Sequence, residues 1–250
     1  MRYLSDIHLE FIKPNKLDKF MKQIKPNNDE ICVLAGDIGY SYSNNYLKFM
    51  EYINKSFKKT FVIAGNHEYY KNDKTIDETN NYLTDLFKQF NNITFFNNSY
   101  EIYENHCYVG STLWSNITNP EYEINDLHSI KELNITKYND LNKECINFLE
   151  QTLQKEDINN VVMITHHMPS RGLINAKYFA PNMVDYNQWF YSNMDNFILK
   201  HKDKLKCWIY GHTHTPSVCK IHNIPFLCNP IGYPDENTEC DYNKCFSAPH

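Results

Sequence analysis

Apolar residues fall along the chain in short runs that stop abruptly at polar ones. Ile31-Cys-Val-Leu-Ala35 is apolar throughout and ends in Gly36-Asp37. Thr60-Phe-Val-Ile-Ala64 ends in Gly65-Asn66-His67-Glu68, and Asn160-Val-Val-Met-Ile-Thr165 in His166-His167. Lys206-Cys-Trp-Ile-Tyr210 ends in Gly211-His212-Thr213-His214, and the shorter stretch Met1 to Ser5 runs into Asp6-Ile7-His8. Compact apolar runs of this length predict strands buried on both faces. Between them, 46–57, 75–90, 139–154 and 186–201 are read as helices. Short strands are expected at 93–96, 100–103 and 106–110, the last two a hairpin about Glu104-Asn105. A second hairpin joins Ser217–Lys220 to Pro225–Cys228 about His222-Asn223, and 229–232 is a turn. Residues 113–138 dissolve into polar and aromatic positions, a candidate lid or rim, and 170–184 are irregular. No repeat or linker breaks the pattern, so residues 1–250 are expected to form one domain. Strands separated by helices predict a layered α/β sheet, in which functional residues gather beyond the carboxyl ends of the strands.

The residues at those ends share one chemistry. Asp6 and His8, two apart on an extended strand, are expected to point to one side and aim a carboxylate and an imidazole at a single point. Each motif alone has a plain structural reading. Gly36-Asp37 is a common turn, Asn66-His67 could cap a helix, and His166-His167 could be a hydrogen-bonded core pair. Five such ends in succession point instead to a metal site, because mixed carboxylate and imidazole donors suit divalent transition metals.

Composition narrows the alternatives. The formal net charge is -5 and arginine occurs only as Arg2 and Arg171. There is no basic field to hold a polyanion such as DNA without sequence preference. The eight cysteines form no Cys-x-x-Cys pair, and several lie in apolar runs, which predicts reduced thiols in an intracellular protein. No apolar run approaches the roughly 18 residues of a membrane span. Signal-peptide cleavage would remove Asp6, so a cytoplasmic location is expected.

The order and spacing of the five motifs resembles the calcineurin-like metallophosphoesterase superfamily over nearly the whole chain. The likeness is closest to a branch of small, soluble, bacterial-type phosphoesterases. It extends to Ser-Asp-x-His-Leu-Glu-Phe at 5–11, Gly-Asn-His-Glu-Tyr-Tyr at 65–70 and Thr-Leu-Trp at 112–114. Thr-His-His-x-Pro-Ser at 165–170 and Asn-Pro-x-Gly-Tyr-Pro at 229–234 complete it. The resemblance implies an α/β fold, a four-layer αββα sandwich of two mixed β-sheets flanked by helices. It also implies two divalent metal ions, manganese first among them, with iron, zinc, cobalt or nickel as alternatives. One would be held by Asp6, His8 and His214, the other by Asn66, His166 and His212, with Asp37 bridging. His67 is implied as the catalytic residue that stabilises phosphoryl oxygens or protonates the leaving alkoxide.

Substrate contacts are assigned to Arg171, Tyr70 and His167. Tyr69, Tyr70, Trp114 and Tyr233 could stack a base or merely pack, and Glu68 could orient His67 or cap the following segment. Gly36-Asp37-Ile-Gly-Tyr40 also resembles the iron-binding motif of purple acid phosphatases, but His8 argues against that type, leaving Tyr40 a structural or pocket residue.

The activity so implied is hydrolysis of a phosphodiester, or of a phosphomonoester, by a metal-bridging hydroxide. The partner would be a nucleotide-like or other small-molecule phosphoester, with no membrane and no nucleic acid. A protein phosphatase is disfavoured because Ile38-Gly-Tyr-Ser41 follows Gly-Asp, and a nuclease by the acidic balance. A non-catalytic scaffold on the same fold, as in the retromer subunit, is the alternative from another class. The polar stretch from Asp235 onward predicts that the last strand of one sheet is short or missing.

Overall fold

The computed structural model describes residues 1–26, 30–181, 183–236 and 238–247; His250, assigned no role, lies outside them. Among the described residues ten strands form two sheets. In the first, β1 (Arg2–Leu4), β2 (Ile31–Ala35), β3 (Lys59–Ile63) and β4 (Ile93–Phe96) lie in that order, every pair parallel. The second contains β5 (Ser99–Tyr103), β6 (His106–Ser111), β7 (Val161–Thr165) and β8 (Leu205–Tyr210), then β9 (Ser217–Ile221) and β10 (Ile224–Cys228). Its spatial order is β5-β6-β7-β8-β10-β9, with antiparallel hairpins at both edges and parallel strands between. Both expected hairpins are present, and His222 and Asn223 turn the second with φ of 50° and 67°. That pair of left-handed residues suits a tight two-residue loop.

The strand period of two explains the layering. Val33 and Ala35 of β2, Phe61 and Ile63 of β3, Val162 and Ile164 of β7 and Ile209 of β8 form one buried cluster between the sheets. Their neighbours in sequence, such as Cys32, Leu34, Val62, Met163 and Trp208, belong to the helix-facing core. Helices α1 (Leu17–Met21), α2 (Asn44–Ser56), α3 (Ile76–Phe87), α4 (Asp126–Ser129), α5 (Ile135–Gln154) and α6 (Asp195–His201) flank the sheets. Their starts follow local capping chemistry: Ser43 caps α2, Thr75 and Glu78 form a capping box on α3, and Asn134 caps α5. The last of these begins the helix at Ile135 rather than at 139.

One expectation is corrected. The helix read over 186–201 is a 3-10 stretch at Val184–Trp189, a break, and then α6. The break has a cause: Ser192 and Met194 N–H donate to the carbonyls of Met168 (2.8 Å) and Pro169 (2.9 Å), so this backbone pairs sideways instead of helically. The first sheet is parallel in all its named pairs, and its mixed character rests on one antiparallel bridge, Arg2 to Cys245. That bridge, with Phe246 N–H on the Met1 carbonyl (2.8 Å), is what stands for the final strand. Arg2 secures it, donating to Glu30 (2.9 Å) and Asn243 (3.0 Å). Among the described residues no helix is long and apolar enough to cross a membrane, and all eight cysteines are free.

The sheets meet closely at Gly110, where a Cβ would lie 2.4 Å from Phe96 Cβ and 2.8 Å from Ile63 Cγ2. Gly110→Ala is therefore expected to destabilise the protein by about 1–3 kcal/mol, since neither strand can move aside freely. A lower urea midpoint at unchanged slope would show it.

Candidate metal centre

Strands β1, β2, β3, β7 and β8 release their carboxyl ends at one edge of the two sheets. The chain then leaves extended geometry at once: Asp6, His8, Asp37 and His212 have φ of 49°, 51°, 53° and 65°. Non-glycine residues avoid this left-handed region and hold it only where surroundings impose it. The imposition is visible. Asp6, His8 and Leu9 N–H donate to the carbonyls of Gly36, Asp37 and Ile38 at 3.0, 3.0 and 2.9 Å, so the first two loops run clasped together. Asp6 and His8 thus converge through left-handed turns beyond a strand that ends at Leu4, not through strand alternation as expected from the sequence. Gly65 permits the closest approach: a Cβ there would sit 2.3 Å from Asp37 Oδ1 and 2.7 Å from His166 Cε1.

The structure gathers all seven predicted ligands. Asp6, His8 and His214 offer donor atoms within 4.8 Å of one another, as do Asp37, His166 and His212. Asp37 Oδ2 stands between the groups, 3.9 Å from His8 Nε2 and 3.3 Å from His166 Nε2. Asn66 Oδ1 lies 3.1 Å from His166 Nε2, and His8 Nε2 is 3.1 Å from His214 Nε2. Four of these inward-facing atoms are aimed by a partner on the opposite side of the side chain. His8 Nδ1 meets Glu10 (3.0 Å), His166 Nδ1 the Ala35 carbonyl (2.9 Å) and His214 Nδ1 Glu236 (2.5 Å). Asn66 donates its amide to Asp126 (2.8 Å), leaving the carbonyl oxygen inward. Such outer contacts are what orient metal ligands elsewhere. His212 Nε2 is buried with no hydrogen-bond partner, a state that a metal ion would satisfy. The donor set therefore fits two divalent cations sharing Asp37.

The other predicted residues separate. His67 lies beside the group: its N–H donates to Asp37 Oδ1 (2.8 Å), Nδ1 meets Glu10 (2.8 Å), and Nε2 is 3.4 Å from the Tyr233 hydroxyl. Its ring also forms a possible donor triad with His8 and Asp37. Tyr70 stacks on His67 at 4.3 Å and donates its hydroxyl to Asp126, and with Tyr233 it lines the adjoining cavity. Tyr69 and Trp114 are buried against each other and take no part in the cavity wall. Tyr40 stands 6.5 Å from the His67 ring. His167 is not placed to touch substrate: it is buried, Nε2 accepting from Tyr138 (3.0 Å) and Nδ1 facing the Thr112 carbonyl (3.2 Å). Nor does Arg171 line the cavity; it is exposed, over the Phe179 ring.

Glu68 neither orients His67 nor caps a helix. Its carboxylate accepts from the backbone of Asp37 (3.0 Å), Ile38 (2.7 Å) and Gly65 (2.7 Å), pinning the two loops that carry the bridge and Asn66.

Three functional side chains escaped sequence reasoning. Glu10 falls inside the first motif, two residues after His8, so spacing could have raised it. Glu236 follows the final motif. Asp126 lies in the irregular 113–138 segment, where no pattern marks it.

Burial and charge act in opposite directions here. Burial disfavours the charged ring of His166, but Asp37 outweighs it and pushes the pKa up to about 10. In His67 the same balance against Asp37 and Glu10 gives about 9. Asp37 itself is held well below the carboxylate range, because His166, His67 and His8 overcome its burial. Burial pushes Glu68 up to about 8, with Asp37 adding to it. His167 falls to about 3 through burial and the neighbouring His166, so its ring is neutral.

A family model for calcineurin-like phosphoesterases matches residues 3–216. The chain belongs to the calcineurin-like phosphoesterase family. It is 32% identical, over 265 aligned positions, to uncharacterized protein L509 of Acanthamoeba polyphaga mimivirus, covering 94% of this chain and 92% of that protein. Phosphopantetheinyl hydrolase of Mycobacterium tuberculosis has a similar structure, with TM-score 0.73 at 15% identity over 94% of this chain and 92% of that one. TT1561 of Thermus thermophilus follows the same fold, with TM-score 0.59 at 12% identity over 91% and 87%. At such identities the structural likeness speaks to the fold.

Two outcomes follow from the family's centre in this chain. Both ring nitrogens of His166 face oxygen acceptors and its pKa lies at about 10, so the metal-free ring is charged at pH 7. A metal must displace the Nε2 proton. Manganese titrations in buffers of different ionisation enthalpy should show proton release at pH 7 and affinity rising with pH towards about 10; proton-neutral binding would remove His166 from the ligand set. Asp126→Ala frees Asn66 to turn its amide inward and should weaken metal binding by about 10–100-fold, measured on folded protein.

Proposed function

We propose that this chain is a dinuclear-metal-dependent phosphoesterase acting on a phosphodiester, or on a phosphomonoester, of a nucleotide-like or other small molecule. The observation that carries the reading is the Asp37 carboxylate oxygen standing between two separate donor groups, 3.9 Å from His8 Nε2 and 3.3 Å from His166 Nε2. Asp6, His8 and His214 would hold one ion, Asn66, His166 and His212 the other, with Asp37 shared. Manganese is the first choice, and iron, zinc, cobalt or nickel also suit such donors. We propose further that residues 1–250 act as one domain, in the cytoplasm. The intact donor set weighs against a non-catalytic scaffold.

When bound, the two ions would polarise the phosphoryl group and acidify water so that a nucleophile is available near neutral pH. The chain's own groups do the rest. Asp37 is ionised across the neutral range, so its charge offsets both cations. Asp126 keeps the Asn66 oxygen inward. Glu10 fixes His67 through Nδ1 and directs Nε2 at the cavity wall beside Tyr233. The pKa of His67, about 9 in the metal-free protein, keeps a proton on the ring at pH 7, and nearby cations would lower that value. A proton at Nε2 can be donated to a phosphoryl oxygen or to the departing alkoxide.

Metal analysis combined with turnover of bis(4-nitrophenyl) phosphate tests the proposal. Two bound ions with turnover are expected, and a metal-free, inert protein would overturn it. His67→Ala should lower kcat by roughly 10²–10⁴-fold with metal content intact; a matching loss of metal would make His67 a ligand instead.

A further inference from the structure

A cavity of about 330 Å³ opens from the centre, with Asp37, Asn66, His67 and His212 on its floor. Two irregular segments build its outer side. Ile124 and Asp126 come from one; Met168, Ile174, Met183 and Phe190 come from the other. Gln188 clasps them: its carbonyl accepts from Thr118 N–H and Asn119 N–H (both 2.9 Å), and its amide donates to the Asn119 carbonyl (2.7 Å). Trp189 adds an indole N–H on the Tyr122 carbonyl, 2.5 Å. The wall is thus held from both sides by defined contacts.

Its chemistry is one-sided. Above the floor the surface is mainly aliphatic and aromatic; its carboxylates are Asp126 and Glu236, and Asn125, Asn187, Thr213, His214 and tyrosine hydroxyls are its other polar members. No lysine or arginine is among the described lining residues. Lys177 lies over the ring of Tyr178, 4.8 Å from its centroid, but is itself exposed and outside the wall. A second phosphate placed here would meet two carboxylates and no lysine or arginine, so its charge would lose hydration without a full cationic partner in the wall. An apolar group loses nothing on entry and gains by leaving water.

Resting on the phosphoesterase reading, we infer that this cavity receives the organic group esterified to the scissile phosphate, and that the group is apolar and uncharged. A polyphosphate is disfavoured by charge. Of the two substrate types left open above, the apolar lining favours the non-nucleotide ester.

The test uses manganese-loaded protein and alkyl 4-nitrophenyl phosphates with methyl, propyl and pentyl chains, which hold the leaving group constant. kcat/KM should rise about fourfold for each added methylene, and the pentyl ester should exceed the thymidine 5′ ester of 4-nitrophenyl phosphate. Calorimetry of methyl- and pentylphosphonate should show the same trend in Kd, with a more negative heat-capacity change for the longer chain. Met183→Lys, at the half-buried rim, should lose the chain-length gain in both measurements while keeping its metal. A flat series with turnover retained, or a thymidine ester that outpaces the alkyl series, would overturn the cavity assignment alone. No turnover of any ester by the loaded protein would overturn both readings.

Discussion

A buried carboxylate, Asp37, sits where the two sheets release their strands, and the local structure depends on holding it there ionised. Taking one carboxylate out of water is costly unless donors and positive charge surround it. Asp37 has both: His67 N–H on one oxygen and the His8 and His166 rings about the other. Its own backbone N–H is taken by Glu68, which also holds Ile38 and Gly65. One buried glutamate thereby locks the β2 and β3 loops into a single unit. Burial raises the pKa of Glu68 to about 8, and the nearness of Asp37 adds to the shift.

That crowding constrains the fold beyond the loops. Donors from β1, β2 and β3 in one sheet and from β7 and β8 in the other meet only if the sheets lie close and in register. Gly110 lets the sheet faces approach, and Gly65 lets the loops do so. The centre is therefore a property of the sandwich as a whole. A change in the inter-sheet packing would move His166 and His212 relative to Asp37 without touching any ligand.

Much of this was legible in the sequence because parallel strands buried on both faces leave strong local signals. The runs at 31–35, 60–64, 160–165 and 206–210 are mostly apolar, and their polar stops supplied five of the donor residues, with Asp6 and His8 following the shorter first stretch. The groups that aim those donors were less visible. Asp126 reaches Asn66 across 60 residues of chain, and a contact of that range leaves no spacing to read. The 186–201 segment misled for a related reason. Its helical composition was overridden by backbone pairing to Met168 and Pro169, a tertiary contact that local propensity does not see. Asp6 and His8 converge as expected, yet through left-handed turns that the two-residue alternation does not describe.

The same geometry bears on how the centre exists without metal. Six acidic side chains, Asp6, Glu10, Asp37, Glu68, Asp126 and Glu236, stand among the histidines, and like charges at this density would repel. Protons on His166 and His67, and hydrogen bonds from Ser5 to Asp6 and from Tyr70 to Asp126, offset that repulsion. The ligands are thus placed by protein contacts, and His212 Nε2 is among the described buried atoms that lack a partner. Cations entering such a centre exchange with protons already held in position instead of organising a loose set of side chains. Preorganisation of this kind lowers the ordering cost of binding. It also explains why the fold devotes Glu10, Glu68 and Asp126, three buried acids, to residues that touch the ligands and not to the ions themselves.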